Sequence, residues 1–396
     1  MLKKKVFDPY KILIILIAIF TFTTLSYNLW PISSPNRVVG FFIFFDLLLI
    51  IIEEETLSKI QIGLLIESFL LALMTFIGCT DFSQNLTDAI YWLTTMMMLT
   101  IMTQKNSCEK LSLELKNCKK LIITIVVISS MLVIIGLFDE RCYSSVWEGH
   151  YYRGYTVSEH TFSSGCCLFL TFILFFLKDK HHSFFDFIFF IPGTIGILAS
   201  GARTFLIPLI LILAVYYLYY IKSFSWKLLL FPIVFLLGIY VFLQSDMYTK
   251  FIFVIENTYT SNTWIGRFTS GRTRFWLIDF QAYAELPFIN KLIGAGFDYV
   301  YNINESSIGM DIWAHNDFID LLLSVGIIGL AFYIFVLAAC LKSVNRVISK
   351  RITRIISASY VLLPLLLNGF FIYQHYLYSS LFFILTIYAL ENDAKC

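Results

Sequence analysis

Four residues in this sequence are of types that can manage a polyanion and a proton together: Arg203, Arg272, Arg274 and His315. Arg272 and Arg274 lie in the run Thr269-Ser270-Gly271-Arg272-Thr273-Arg274-Phe275-Trp276, which reads as a helix start with Ser270 as N-cap and Pro287 as stop. Cations in a first helical turn oppose the macrodipole, at a cost of roughly a few tenths of a kcal/mol each. The unpaired backbone N–H groups of that turn point the same way, so this end is an anion site without its anion. A polyphosphate is the natural occupant, because guanidinium forks match phosphate oxygens two at a time. The plainer alternative is that both arginines snorkel to lipid headgroups.

His315 opens a second pattern: His315-Asn316, nine residues, then Gly326-Ile327-Ile328-Gly329. On one straight helix these offsets return to within about 40° of the start. His315, Gly326 and Gly329 would then share a face with Ile319 and Leu322 between them. The glycines would admit a second backbone or an isoprenoid chain, and the imidazole above that groove, neutral near pH 7, could take a proton. A structural histidine at the membrane interface is the bland alternative. Arg203 follows Ala199-Ser200-Gly201-Ala202 in a tight turn between two apolar runs. An ionisable group at the edge of hydrocarbon is a functional candidate by default, set against simple snorkelling.

Other signals are weaker. Gly294-Ala295-Gly296 lacks the strand–helix frame of a nucleotide fingerprint. Asp46, Glu67 and Asp186 fall inside apolar runs, where bundle packing outweighs a proton relay. His150, Arg153, Glu159 and His160 share one connection with Tyr143, Trp147, Tyr151, Tyr152 and Tyr155, rings that suit either sugar stacking or an interfacial belt. Asp279, Glu285, Asp298 and Asp311 show no paired metal-ligand spacing.

The elements that must position these residues are membrane helices. Of the 396 residues 58% are hydrophobic and 14% charged, where a soluble domain carries about 25% charged residues. Forty Phe and 23 Tyr exceed what a soluble core of this size could enclose. A soluble enzyme, a disordered chain and a disulfide scaffold are excluded. Apolar segments run 10–29, 38–52, 60–78, 86–103, 121–138, 158–177, 184–200, 203–221, 228–243, 316–341, 355–374 and 377–390. At about 20 residues per crossing they predict about 12 transmembrane helices, or 11 if the short last one fails.

Lys3, Lys4 and Lys5 precede the first segment, and the 104–120 and 342–354 connections are basic, so both termini are expected in the cytoplasm. The first apolar run lacks a small-residue cleavage site and reads as a retained helix, not a signal peptide. The expected organisation is a bundle over 1–243, one large extracytoplasmic loop over 244–314, and the last spans over 315–396. Within the loop, Phe275, Ile278 and Ala282 share one helical face and Trp276, Phe280 and Tyr283 another, predicting an amphipathic helix at the membrane surface. The eight cysteines include no C-x-x-C, which argues against zinc, and only Cys79 and Cys142 fall on the outer side, where a bridge between them is a minor option. No internal repeat is evident.

With these features the sequence resembles the O-antigen polymerase and O-antigen ligase superfamily of bacterial envelopes. His315-Asn316, Gly326 and Gly329 satisfy each position of that family's H-[NSQ]-x9-G-x-x-[GTN] motif. Its loop arginine is matched by Arg272, and its arginine after a small-residue turn by Arg203. Arg153-Gly154 resembles a further recurrent segment. An Arg-x3-Leu form of the loop motif is not met, since Arg272 leads to Trp276 and Arg274 to Ile278; which of the two arginines is functional stays open. Detailed likeness covers about residues 150–340.

The resemblance implies an all-α polytopic glycosyltransferase bundle of the GT-C-like kind in the bacterial cytoplasmic membrane, its site facing the periplasm or exterior. It implies a donor glycan on undecaprenyl diphosphate and an acceptor sugar hydroxyl. Arg203, with Arg272 or Arg274, would clamp the diphosphate, and His315 would take the acceptor's proton. Arg153, Asn316, Gly326 and Gly329 would help to bind substrate. No cofactor, obligatory metal or nucleic acid is implied. Expected partners are membrane lipids, a chain-length regulator and a flippase. Repeat-unit polymerase is favoured over ligation to lipid A core or protein, because polymerases are the more diverse group and the Phe, Ile, Lys and Asn usage suits a Gram-positive source. A glycolipid transporter would instead place its charges near the midplane, and a purely structural protein would leave the histidine motif a coincidence.

Overall fold

The computed structural model describes residues 8–32, 34–53, 57–146, 149–176, 188–220, 232, 236–256, 263–346, 348, 350–369 and 374–393. Lys3, Lys4, Lys5, Trp147, Asp186 and much of the expected 228–243 span lie outside them. Among the described residues the structure is all-α apart from one short hairpin. Helices α1 (Pro9–Leu25), α2 (Pro35–Glu53), α3 (Lys59–Met74), α4 (Phe82–Met102), α5 (Lys105–Asn117) and α6 (Lys119–Gly136) come first. Their starts obey local chemistry. Asp8 caps α1 with Pro9 in its first turn, Ser58 and Gln61 form a reciprocal box on α3, and Asp81 accepts the N–H groups of Ser83 and Gln84 on α4.

The hairpin β1 (Tyr143–Val146) and β2 (Gly149–Tyr152) follows, its register pairing Tyr143 with Tyr152 and Ser144 with Tyr151. Then come α7 (Glu159–Phe176), α8 (Phe190–Ser200) and α9 (Leu206–Tyr220). Among the described residues five helical stretches are long and apolar enough to cross a membrane: Pro35–Glu53, Lys119–Gly136, Glu159–Phe176, Arg203–Tyr220 and Gly326–Asn345. Shorter apolar helices lie at Pro9–Leu25, Phe190–Ser200 and Tyr376–Glu391. Helix α7 is the central post, packed by α1, α6 and α8 and by the C-terminal helix. Close approach is allowed by small residues, with Ser163 and Ser200 joined through their hydroxyls at 2.7 Å and the aromatic side chains of α7 seated over Gly193 and Gly196.

The segment expected as one large loop is itself helical: α10 (Asp246–Glu256), α11 (Trp264–Phe268), α12 (Arg272–Glu285), α13 (Phe288–Ile293) and α14 (Tyr299–Ile308). It is tied to the N-terminal helices through Asp298, whose Oδ2 accepts Thr80 N–H at 2.6 Å, Thr80 Oγ1 at 2.8 Å and Asp81 N–H at 2.8 Å. Asn85 Oδ1 accepts Phe297 N–H at 2.7 Å beside it. In α12 the buried residue is Asp279, Phe275, Trp276, Ile278, Ala282 and Tyr283 are half-buried, and Leu277 and Phe280 are exposed. The helix packs on α14 and on the helix that follows His315.

That next helix is not continuous. α15 (Asp317–Ser324) ends at Val325, Gly326 takes φ +69°, and α16 (Gly326–Asn345) starts anew. The single-face arithmetic joining His315 to Gly326 and Gly329 therefore does not apply. The break is filled by the Gly294-Ala295-Gly296 loop: Ala295 N–H donates to Leu323 C=O at 2.8 Å and Gly296 N–H to Ser324 C=O at 3.2 Å. A Cβ on Gly326 would lie 2.4 Å from the backbone of Leu292, and one on Gly294 would lie 2.1 Å from Ser324 O. These glycines serve backbone-to-backbone contact. Gly329 sits one turn on, against Val325. The chain closes with α17 (Arg351–Leu367) and α18 (Gln374–Asp393). Cys79 and Cys142 are both free thiols, so the optional bridge is absent.

Candidate active site

Arg203 is delivered by a turn whose direction is set by Gly201, the left-handed C-cap of α8 at φ +62°. Its guanidinium donates to the Ser270 hydroxyl and lies 5.9 Å from the centre of the Phe251 ring. Ser270 thus has a different role from the expected cap. Ser270 (φ +56°) and Gly271 (φ +81°) are both left-handed, Gly271 is the N-cap of α12, and no side chain closes that cap. The two turns bring α8 and α12 together, and the open positive end of α12 faces the same space as Arg203.

Arg272 is the first residue of α12 and reaches the end of α17, donating to Leu367 C=O and, at 3.5 Å, to Asn368 Oδ1. Arg274, two positions on, is exposed and lies outside the cavity described below. A third cation, Lys250 of α10, lies 4.3 Å above the Tyr151 ring of β2, a cation–π contact supplied by the hairpin. Burial pushes the Lys250 ammonium down to about 8; Arg203 and Arg272 act in the same direction and Glu159 opposes them.

His315 lies in the left-handed region at φ +55°, a conformation that costs a non-glycine residue about 1–2 kcal/mol. Its neighbours hold it there. Asp320 Oδ1 accepts Ala314 N–H at 2.8 Å, Trp276 Nε1 donates to Ala314 C=O at 2.8 Å, and Trp313 Nε1 donates to Asn368 C=O at 3.4 Å. The Trp313 and His315 rings are 4.6 Å apart. Asn316 is the N-cap of α15: its Oδ1 accepts Phe318 N–H at 3.0 Å and its Nδ2 donates to Leu366 C=O at 3.2 Å. It anchors the chain beside the histidine and does not line the cavity. Burial, and then the positive Arg272 and the neighbouring His160, hold the His315 pKa well below the ordinary imidazole value, so the ring is neutral at pH 7.

These groups line one cavity of about 1070 Å³: Arg203, Lys250, Arg272 and His315 together with His160 and Glu159 of α7. Leu206, Ile207 and Ile210 of α9 give it an apolar side. Arg153 stands apart, its N–H donating to Cys142 C=O at 2.8 Å and its guanidinium at 3.5 Å from Arg141 O, at the base of the hairpin. Gly326 and Gly329 are at the helix break, away from the cavity lining. Among the described residues no group of His, Cys, Asp or Glu side chains has a metal-binding arrangement.

Residues 187–334 match the family model described as O-antigen ligase. Over that segment the chain is similar to the O-antigen ligase family. Members of that family are membrane enzymes of the glycosyltransferase type. No curated protein matches the chain at a significant level. The matched segment supplies Arg203, Lys250, Arg272 and His315, while α2, α4 and α7, which complete the cavity, precede it. Lys250 and the cavity role of His160 were not legible as sequence signals. Lys250 is a solitary lysine in a helix of mixed composition, and its place follows from the ring of Tyr151, about a hundred residues earlier.

Proposed function

We propose that this protein transfers a glycan from a polyprenyl diphosphate to a sugar hydroxyl on the outer face of the cytoplasmic membrane, as a repeat-unit polymerase. One observation carries the reading: three cations and a neutral histidine from the matched segment converge on a single cavity that also has an apolar side. A diphosphate is the ligand that such a cation set fits, and Leu206, Ile207 and Ile210 offer the start of its lipid a place to lie.

In the proposed step the acceptor oxygen attacks the anomeric carbon of the donor sugar. The C–O bond to the diphosphate breaks, and its electron pair leaves with the diphosphate. Arg203, Arg272 and Lys250 stabilise the growing charge on that leaving group. The acceptor proton passes to His315. An imidazole of low basicity in the free protein becomes a better base once a bound dianion offsets Arg272, so donor binding would prepare the proton acceptor. Ligation to a lipid A core or a protein uses the same chemistry with another acceptor. Polymerase is preferred on the compositional grounds given above.

The test is the size distribution of surface glycan in cells carrying His315→Ala, beside wild type and a deletion, with the variant's membrane level verified. Single repeat units left on the lipid carrier are expected. Long chains accumulating on the carrier without transfer would identify a ligase. Normal long polymer would refute the role of His315.

A further inference from the structure

We infer that the end of the cavity built by α2, α4 and Tyr301 of α14 is a subsite for a neutral, hydroxyl-rich sugar, which on the proposed function, where this inference rests, carries the accepting hydroxyl. The cationic residues Arg203, Lys250 and Arg272 come from the turn before α9, from α10 and from α12. None comes from the N-terminal helices except Arg37, which is hydrogen-bonded to Tyr91. The remaining lining from these helices is amide, hydroxyl, carboxylate and phenol: Asn36, Gln84, Thr87, Asp88 and Tyr91, facing Tyr301. The same cavity therefore has two chemically distinct ends.

The second end has acceptors to spare. Asn36 Oδ1 is buried with no hydrogen-bond donor among the described residues. Asp88 is 2% exposed, and its carboxylate is oriented by Gln84 Nε2 at 3.0 Å and by the Tyr301 hydroxyl. A buried acceptor without a donor is costly, and a ligand that brings donors relieves it. Sugar hydroxyls are such donors. A uronic acid would bring a second carboxylate against Asp88 and is disfavoured. Gln84 keeps its amide oxygen for the ligand, since its nitrogen is engaged by Asp88.

The subsite is also pre-formed. Asp298 binds the Thr80–Asp81 corner that starts α4, and Asn302 Nδ2 donates to Thr80 Oγ1 at 2.7 Å. Those bonds lock α14 to α4, so Tyr301 and Asp88 keep their register without ligand. The three polar groups Asn36, Gln84 and Asp88 precede residue 187, whereas the three cations and Tyr301 lie within the family-matched segment.

The experiment uses the full-length protein in lipid nanodiscs, with undecaprenyl diphosphate as the binding probe and lipid-linked repeat units extracted from the host membrane as substrate. Asn36→Leu and Asp88→Asn are expected to bind undecaprenyl diphosphate within about twofold of wild type while turnover falls about tenfold or more, the loss appearing mainly in KM for the repeat unit. Retained probe binding also shows that these variants are folded. Mass spectrometry of the extracted unit is expected to show a neutral terminal sugar. Wild-type turnover in both variants, a parallel loss of undecaprenyl diphosphate binding, or a terminal uronic acid would each overturn the subsite. Arg272→Ala and His315→Ala run alongside. If these two remain active the transfer reading itself fails, whereas if they are inactive and the Asn36 and Asp88 variants are not, only the subsite fails.

Discussion

Replacing Arg272 tests two consequences of one charge. Its guanidinium lines the cavity where the diphosphate is proposed to sit, and it is also, after burial, the main reason why His315 is a weak base in the free protein. Removing one preorganised cationic donor from a water-poor site costs roughly 3–4 kcal/mol of transition-state stabilisation. At about 1.36 kcal/mol per decade, Arg272→Ala should lower kcat/KM by roughly 10²–10³. Arg272→Lys keeps the charge and loses the planar fork, so a smaller loss of about tenfold is expected.

The second consequence has a definite sign. A positive neighbour disfavours the imidazolium, so removing it raises the His315 pKa. The acid limb of kcat/KM, which reports the base in the free enzyme, should then move to higher pH in Arg272→Ala. Wild type should keep its activity to well below pH 6.5. The assay is turnover of lipid-linked repeat units across pH 4.5–9 (about 0.5 unit apart) with thermal inactivation measured in parallel. The parallel measurement matters because Arg272 also bonds the C-terminal end of α17. Partial unfolding would reduce the active fraction without moving the limb upward. Activity within about threefold of wild type, or an unmoved limb, would refute the reasoning.

Three further outcomes are expected. Lys250 has its pKa pushed down to about 8, so undecaprenyl diphosphate affinity should decline as pH rises through that value, and Lys250→Ala should bind more weakly with a flatter profile. Gly326→Ala combines left-handed strain with a Cβ 2.4 Å from Leu292 backbone, whereas Gly309 at φ +71° has open space around it. The temperature of thermal inactivation should therefore fall far more in Gly326→Ala than in Gly309→Ala, where strain alone costs about 1–2 kcal/mol. Asp279 is buried and its carboxyl is pushed up to about 7. The folded state then holds a proton that the unfolded state releases near pH 4, so stability should fall as pH rises from about 4 to about 7. Asp279→Asn should flatten that dependence, as chemical denaturation at pH 5 and pH 8 would show.

The sequence by itself determined the solvent and singled out the candidate residues. Its apolar composition requires a membrane helix bundle, and the apolar runs 10–29, 60–78 and 86–103 fall on α1, α3 and α4, whose caps Asp8, Ser58 and Asp81 the structure then showed. It also singled out Arg203, Arg272 and His315, because cations near hydrocarbon and a histidine above spaced glycines are costly or unusual unless used. It misread Ser270 as a cap and treated Gly326 and Gly329 as one face with His315. Both errors arise from left-handed residues, whose effect on chain direction has no helical or strand period.

Only the tertiary structure chose between Arg272 and Arg274. Two arginines in the same first turn look equivalent in sequence, but one side chain enters the cavity and the other meets solvent. It likewise decided that Lys250 joins the site through a hairpin, and that Asn36 and Asp88 complete a cavity whose cations lie far along the chain. The physical reason is range. Composition and caps act over a few residues, whereas a site is assembled by contacts such as Asp298 on the Thr80–Asp81 corner, more than two hundred residues away, which local periodicity does not record.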